Sequence, residues 1–350
     1  MEINQHASVY YPQKNALEIN VAVQAAIQWH PSIEAAANEL KTQQRHIDVA
    51  KAAYYPQINA GLRGGYDSSQ QDNRSPPSAV LSVSQMLYDF GKTKNAINVE
   101  KSSSFIYQAA LLQVIDDIIQ QTAFAVIEVQ RFQQLVLAVK DMEAGINTLA
   151  ELVNQRHVQG AGTRSDLVQS YSKLEAAKAR RIEYQTQLER WKSRVSVLTG
   201  ISFNEVSIDD ANIASIECQA IAIEESLIPQ LMQAKAKKER AEAELSASKA
   251  NQLPTLTLDP SVRHYVDDRP YTGSVMDDRT RYEVHLNLSM PLYQGGSMRA
   301  RNHAAQHALS AAEAGIASAM LAIRQALQES SSQQSFLRQH QQVLQNREIL

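Results

Sequence analysis

The chain has 350 residues, with 34 Lys and Arg against 37 Asp and Glu and a formal net charge of −3. That near-balance carries no polyanion-binding signal, so nucleic acid is not an expected partner. Ala, Gln, Leu, Glu, Ser and Lys dominate while aromatics are 6% and glycine is sparse, the usage of long helices and coiled coils. The single cysteine, Cys218, excludes an intrachain disulfide and a CxxC metal site and reads as a small buried or linker hydrophobe. No run of about 18 apolar residues occurs, so no transmembrane helix is predicted. A membrane barrel is not excluded, because its strands carry a weaker signal. The opening MEINQHASVYYPQKN lacks a basic segment followed by an apolar core, so it does not read as a secretory signal. The chain is expected to be either cytoplasmic or a mature segment without its signal.

The first segment, 1–57, holds a helix bracketed by Pro31 and Pro56. Pro31 suits a first helical turn, and Pro56 pushes the residue before it out of the α region. Residues 58–89 read as a β-hairpin. Leu81, Val83 and Leu87 share one face and Ser82 and Ser84 the other, which predicts a sheet with one apolar and one polar side. A half-buried soluble sheet and a membrane barrel with a wet lumen both give this pattern. The hairpin ends in QMLYDFG, and the longest helix begins after Gly91, inside a helical hairpin over 90–199. Leu111, Ile115, Ile118, Thr122, Ala125, Val129, Phe132, Val136 and Val139 follow alternating steps of four and three, and the pattern resumes at Ile146, Ala150 and Val153. This is a heptad seam; an ordinary amphipathic helix would drift from it. To about His157 the helix would be roughly 100 Å long at ~1.5 Å per residue. It stops near 158–165, in HVQGAGTRSDL. Gly160 and Gly162 suit a tight turn or left-handed cap, and Thr163 with Asp166 forms a variant capping box. Leu167, Tyr171, Leu174, Tyr184, Leu188, Trp191, Val195 and Leu198 carry the return helix. The glycines follow no strand and lack the GxGxxG spacing, so no phosphate loop is predicted.

A linker over 200–225 leads to a second copy of the same order: a helix over 226–253, a β-hairpin over 254–292 and a long helix over 293–350. Pro229 and Pro254 stand 25 residues apart, as Pro31 and Pro56 do. In the strand, Val284, Leu286, Leu288, Met290 and Leu292 oppose Glu283, His285, Asn287 and Ser289. MPLYQGG then repeats QMLYDFG, so that Leu87, Tyr88 and Gly91 match Leu292, Tyr293 and Gly296. The second hairpin is longer by an inserted loop, RHYVDDRPYTGSVMDDRT, whose Asp267, Asp268, Asp277 and Asp278 read as solvated turn residues. At the same offset a second tip is expected near residue 365, and the copy ends about 55 residues short of the first. His303 and His307, at i and i+4, lack an HExxH glutamate and read as a solvated helix face. No catalytic constellation stands out, and neither an enzyme nor a cofactor is expected.

The segments NALEINVAVQAAIQWHPSIEAAANEL, LSVSQMLYDFGKTKNAI, LNLSMPLYQGGSMRARNHAAQHALSAAEA and RHVQGAGTRSDLVQSYSKLEAA resemble the TolC-like outer-membrane factors over nearly the whole chain. The resemblance implies an α+β fold: long antiparallel coiled-coil helices forming an α-barrel, plus two β-hairpins that give four strands to a trimeric, twelve-stranded outer-membrane barrel. It implies a passive exit duct for type I secretion or drug efflux. The partners would be two further copies of the chain, a periplasmic adaptor (membrane fusion) protein, an inner-membrane ABC or RND transporter, and outer-membrane lipid. Gly160, Ala161, Gly162 and Thr163 match the adaptor-docking turn, and Asp166, with Arg164 beside it, the tunnel gate. Leu87, Tyr88, Gly91, Leu292, Tyr293, Gly295 and Gly296 would form the barrel-to-helix junctions. Leu286 and Leu288 would face lipid, and Ser82, Ser84, His285, Asn287 and Ser289 the lumen. Tyr66, Tyr88, Tyr282 and Tyr293 would join interfacial girdles or serve as ordinary packing aromatics. The alternative is a soluble coiled-coil scaffold or periplasmic adaptor without channel activity.

Overall fold

The structure, a computed structural model, describes residues 14–65, 75–208, 228–266 and 280–349. Tyr66, Cys218, Asp267, Asp268, Asp277 and Asp278 lie outside the described residues. In chain order the elements are β1 (Lys14–Glu18), α1 (Ile19–Trp29), α2 (Pro31–Lys51), β2 (Gln57–Gly65) and β3 (Ser75–Tyr88). There follow α3 (Lys92–Val158), α4 (Arg164–Thr199), β4 (Phe203–Ser207), α5 (Pro229–Ala250), β5 (Thr255–Tyr265), β6 (Thr280–Ser289) and α6 (Ser297–Ile349). Pro31 and Pro229 each open a helix, where a missing N–H costs nothing. The chain divides into two units, Met1–Ala37 with Leu111–Ile223 and Asn38–Ala110 with Glu224–Leu350.

The first unit is a helical hairpin on a small sheet. α3 is 67 residues long, holds one glycine and no proline, and spans roughly 100 Å at ~1.5 Å per residue. Along its seam Ile118, Thr122, Ala125, Val129, Phe132, Val139 and Ala150 are buried, as the heptad pattern requires. Leu174, Val195 and Leu198 answer from α4. Edge-on ring pairs, Phe124 with Trp191 at 5.7 Å and Phe132 with Tyr184 at 6.1 Å, hold the register of the hairpin. The Arg181 Nε donates to Glu143 Oε2 at 2.7 Å between the same helices. At the end away from the turn, β1 and β4 pair in parallel, and Leu17 and Val206 join the α3–α4 core. The linker read over 200–225 therefore contains a strand. α3 also carries an 18-residue window apolar enough on average to cross a bilayer, although it contains no continuous apolar run of that length. Its seam is packed against α4, while 22% of that window is buried.

The second unit is an antiparallel sheet in the order β2-β3-β5-β6 with helices running from it. Gln43 Nε2 donates to Glu100 Oε2 at 2.6 Å, tying α2 to the first part of α3, and α5 packs along α6. The sheet register sorts side chains into rows. Ala60, Leu81, Val262 and Tyr282 form one row, and Asn59, Ser82, Ser261 and Glu283 form the next, on the opposite face. β5 reaches Tyr265, so the inserted loop read from Arg263 begins later than expected: Arg263, His264 and Tyr265 are paired residues of a strand.

Candidate functional site

The sheet is amphipathic in an unusual sense: its apolar face is uncovered. Leu62 is 88% exposed, Leu286 64% and Leu288 67%. A water-soluble domain would bury such a row at about 25 cal/mol per Å². The other face is polar and cross-linked. Asp259 accepts hydrogen bonds from Ser84 Oγ on β3, Thr257 Oγ1 on its own strand at 2.8 Å and Asn287 Nδ2 on β6 at 2.6 Å, joining three strands. Both outer strands, β2 and β6, have one edge without a strand partner among the described residues. Ser82, Ser84, His285 and Asn287 lie on the polar side and Leu286 and Leu288 on the apolar side, by register.

The two junctions share a backbone that the letters conceal. Phe90 and Gly91 have φ of 55° and 89°; Gly295 and Gly296, at the same places in the second copy, have 59° and 85°. Each strand thus passes to its helix through two successive left-handed residues. Glycine takes this conformation freely, whereas Phe90 takes it at a cost of about 1–2 kcal/mol. Phe90 packs edge-on against Tyr88 at 4.7 Å, which offsets part of that cost. Asp89 is buried, and its carboxylate accepts from Gly91 N at 2.9 Å and Thr93 N at 2.6 Å, capping α3. Burial pushes the Asp89 carboxyl up, but the hydrogen bonds from Thr93 and Gly91 and the neighbouring Lys92 ammonium outweigh it and hold it below the usual value. Lys92 Nζ donates to Thr255 Oγ1 at 2.7 Å, tying the helix start to β5.

Leu87 departs from the alternation expected of it. Met86 pairs with Thr257 and Tyr88 with Leu256, so Leu87 is the extra residue of a bulge. Tyr88 rather than Leu87 stands opposite Leu256, the partner of Leu288. Leu292 and Tyr293 are both more than four-fifths exposed.

At the helical turn, Gly160 has φ of 77°; its N–H bonds to His157 O and that of Ala161 to Arg156 O at 2.8 Å, a Schellman cap. Gly162 serves differently. A Cβ there would stand 3.1 Å from His157 N and 3.3 Å from His157 Cα. The His157 ring also meets Gly162 O at 3.1 Å through Nδ1. Thr163 Oγ1 accepts from Asp166 N at 3.1 Å, and Asp166 Oδ2 accepts from Thr163 N, so the capping box forms. Asp166 and Arg164 are exposed in the first turn of α4.

Sequence reasoning passed over Asp89, Asp259, His157 and the paired arginines of β5 and β6. Asp89 had a visible signal, an Asp four residues before Thr93 at the start of a helical run. The others depend on cross-strand or turn partners. Among the described residues no group of three or more His, Cys, Asp or Glu gathers to hold a metal; His303 and His307 are exposed on α6.

The outer membrane efflux protein family model matches residues 22–200 and 223–349. Outer membrane protein TolC of Salmonella enteritidis is 22% identical over 319 residues, covering 86% of this chain and 64% of its own length. Outer membrane efflux protein BepC of Brucella suis biovar 1 is 22% identical over 301 residues, covering 84% of this chain and 64% of its own length. The chain thus spans a little under two thirds of these relatives. The fold is similar to that of the outer membrane protein VceC from Vibrio cholerae, with a TM-score of 0.73 at 18% identity over 90% of this chain and 79% of that one. CusC gives 0.72 at 18% identity over 100% of this chain and 85% of that one. The chain belongs to the outer membrane efflux protein family, the TolC-like outer-membrane factors, and it is an outer-membrane protein.

Proposed function

We propose that the chain is one subunit of a homotrimeric exit duct, passive in itself, for a drug-efflux or type I secretion system. The observation that carries this is the four-stranded sheet with an exposed apolar face, a polar opposite face and two open edges. In lipid every backbone donor and acceptor needs a partner within the protein, so open edges must close. Four strands are too few to close on themselves; three copies joined edge to edge make a barrel, with Leu286 and Leu288 toward lipid and the Asp259 network toward the lumen. The helices leaving the junctions then continue the wall into the periplasm. The helical turn at Gly160–Thr163 is where a periplasmic adaptor would dock, and through it an ABC or RND transporter. Small residues there leave room for another helical hairpin. The gate reading of Asp166 asks its carboxylate to serve both the α4 cap and a contact across the tunnel mouth, with Arg164 beside it.

Fractionation of the expressed protein tests the duct. Heat-modifiable trimers recovered from outer membranes with detergent are the expected result. A protein that stays in solution without detergent overturns the reading and favours a soluble scaffold.

A further inference from the structure

The polar face of the sheet is not uniformly polar. Toward its inner end it carries Asp259 and its hydroxyl and amide donors. Toward the hairpin turns it becomes basic. Arg263 on β5 and Arg281 on β6 stand directly opposite each other, in a row completed by Gly61 and Val80. Arg63 on β2 belongs to the same face one row further out, opposite Ser78. Like charges directly opposed across a ladder destabilise a sheet, and arginine cannot shed its proton to relieve this. Among the described residues only one carboxylate answers them. Glu283 Oε1 lies 2.7 Å from Arg281 Nε, and the other oxygen of Glu283 lies 3.7 Å from His285 Nε2. Arg263 Nε is buried with no hydrogen-bond partner among the described residues. The row thus holds a surplus of guanidinium donors over acceptors, in a geometry suited to planar oxyanions.

We propose that Arg63, Arg263 and Arg281 form an anion-attracting collar at the outward end of the duct, which draws carboxylate- or phosphate-bearing solutes past the barrel mouth. The collar rests on the duct reading, since this face becomes a lumen only when the sheet closes. Threefold repetition sets the arginines around one axis, and a narrow low-dielectric lumen concentrates their field. A solute oxyanion between Arg263 and Arg281 satisfies the spare donor and removes the like-charge cost. The collar discriminates by charge, not by shape, as a passive conduit must if it is to release what it attracts.

Single-channel recording of the assembled trimer tests this, in zwitterionic phosphatidylcholine bilayers free of lipopolysaccharide, so that the only soluble phosphate is the one added. Tripolyphosphate added on the hairpin-turn side should reduce the current. In the Arg263→Gln/Arg281→Gln double variant the half-blocking concentration should rise about tenfold, while the Arg263→Lys/Arg281→Lys variant, which keeps the charge, should retain most of the block. Should the glutamine double variant fail to form heat-modifiable trimers, Arg63→Gln on the outer strand carries the same comparison, with a smaller rise expected. Trimers that conduct but show the same half-blocking concentration with and without the arginines overturn the collar and leave the duct standing. Trimers that do not conduct at all overturn both.

Discussion

Asp89 shows how one side chain serves two elements. Its carboxylate closes two of the orphan N–H groups that begin α3, and its position between Tyr88 and Phe90 fixes how β3 is left. The second copy has Gln294 in that place, so α6 starts without an aspartate cap; Ala300 N bonds to Gly296 O at 3.1 Å as its first turn. Asp89→Ala should therefore cost about 1–2 kcal/mol, read as earlier loss of helical circular dichroism on heating in detergent. The sign with pH follows from the lowered carboxyl. The folded protein binds the proton less tightly than the unfolded chain, so the stabilisation is complete above the unfolded carboxylate value and fades as pH falls through the folded one. The melting difference between the parent and Asp89→Asn should hold steady at neutral pH and shrink in acid. A difference that grows in acid would sink the capping role.

At the scale of elements, the helical hairpin and its turn divide the work of two glycines. Gly160 supplies a left-handed backbone with open space where its Cβ would be, and Gly162 supplies a close approach to His157 without an unusual φ. Gly160→Ala is thus a backbone penalty of about 1 kcal/mol, local to the Schellman cap. Gly162→Ala presses on the backbone of the last turn of α3 and should displace it. If the turn docks an adaptor, Gly162→Ala should reduce export while trimers persist, and Gly160→Ala should reduce it less. Equal, unimpaired export in both would remove the docking assignment. The seam itself was legible as a heptad, because burial of α3 is decided along the helix at every third and fourth residue. The bulge at Leu87 was not legible: alternation counted along one strand cannot reveal that its partner skips a residue. Pro260, in an inner strand of the sheet, argues against such a strand by the usual rule; it is tolerated as one missing donor in a ladder otherwise paired on both sides.

For the molecule as a whole, the exposed apolar face and the open sheet edges point the same way. A soluble protein would have to cover both; a closed barrel in lipid satisfies both at once. The two faces of β6 should therefore respond oppositely to charge. Val284→Arg, at the middle of β6 on the apolar face, is expected to cost about 2–4 kcal/mol near mid-bilayer and to lower the yield of trimers in outer membranes, whereas Asn287→Arg, beside the Asp259 carboxylate, should assemble nearly as well as the parent. Equal tolerance at both positions would contradict the lipid and lumen assignment. Charge counted over the chain also misleads at this scale. A net charge of −3 concealed three arginines gathered on one face by the pairing of β5 with β6 and the alternation of β2.

What the amino-acid sequence determined by itself is whatever depends on neighbours along the chain: where prolines begin helices, where the heptad seam lies, where Thr163 and Asp166 restart a helix, and that the strand–junction–helix order occurs twice. Those signals are local, because helix periodicity and capping are settled within a few residues. The repeat even marked both junctions, although it placed a phenylalanine opposite a glycine and gave no hint that both hold the same left-handed backbone. Tertiary structure decided what depends on neighbours across the sheet: that Arg263 faces Arg281, that Asp259 joins three strands, and that the apolar side is left bare. Strand pairing brings together residues with no fixed spacing in sequence. The chemistry of the sheet is therefore set by register, which only the folded chain specifies.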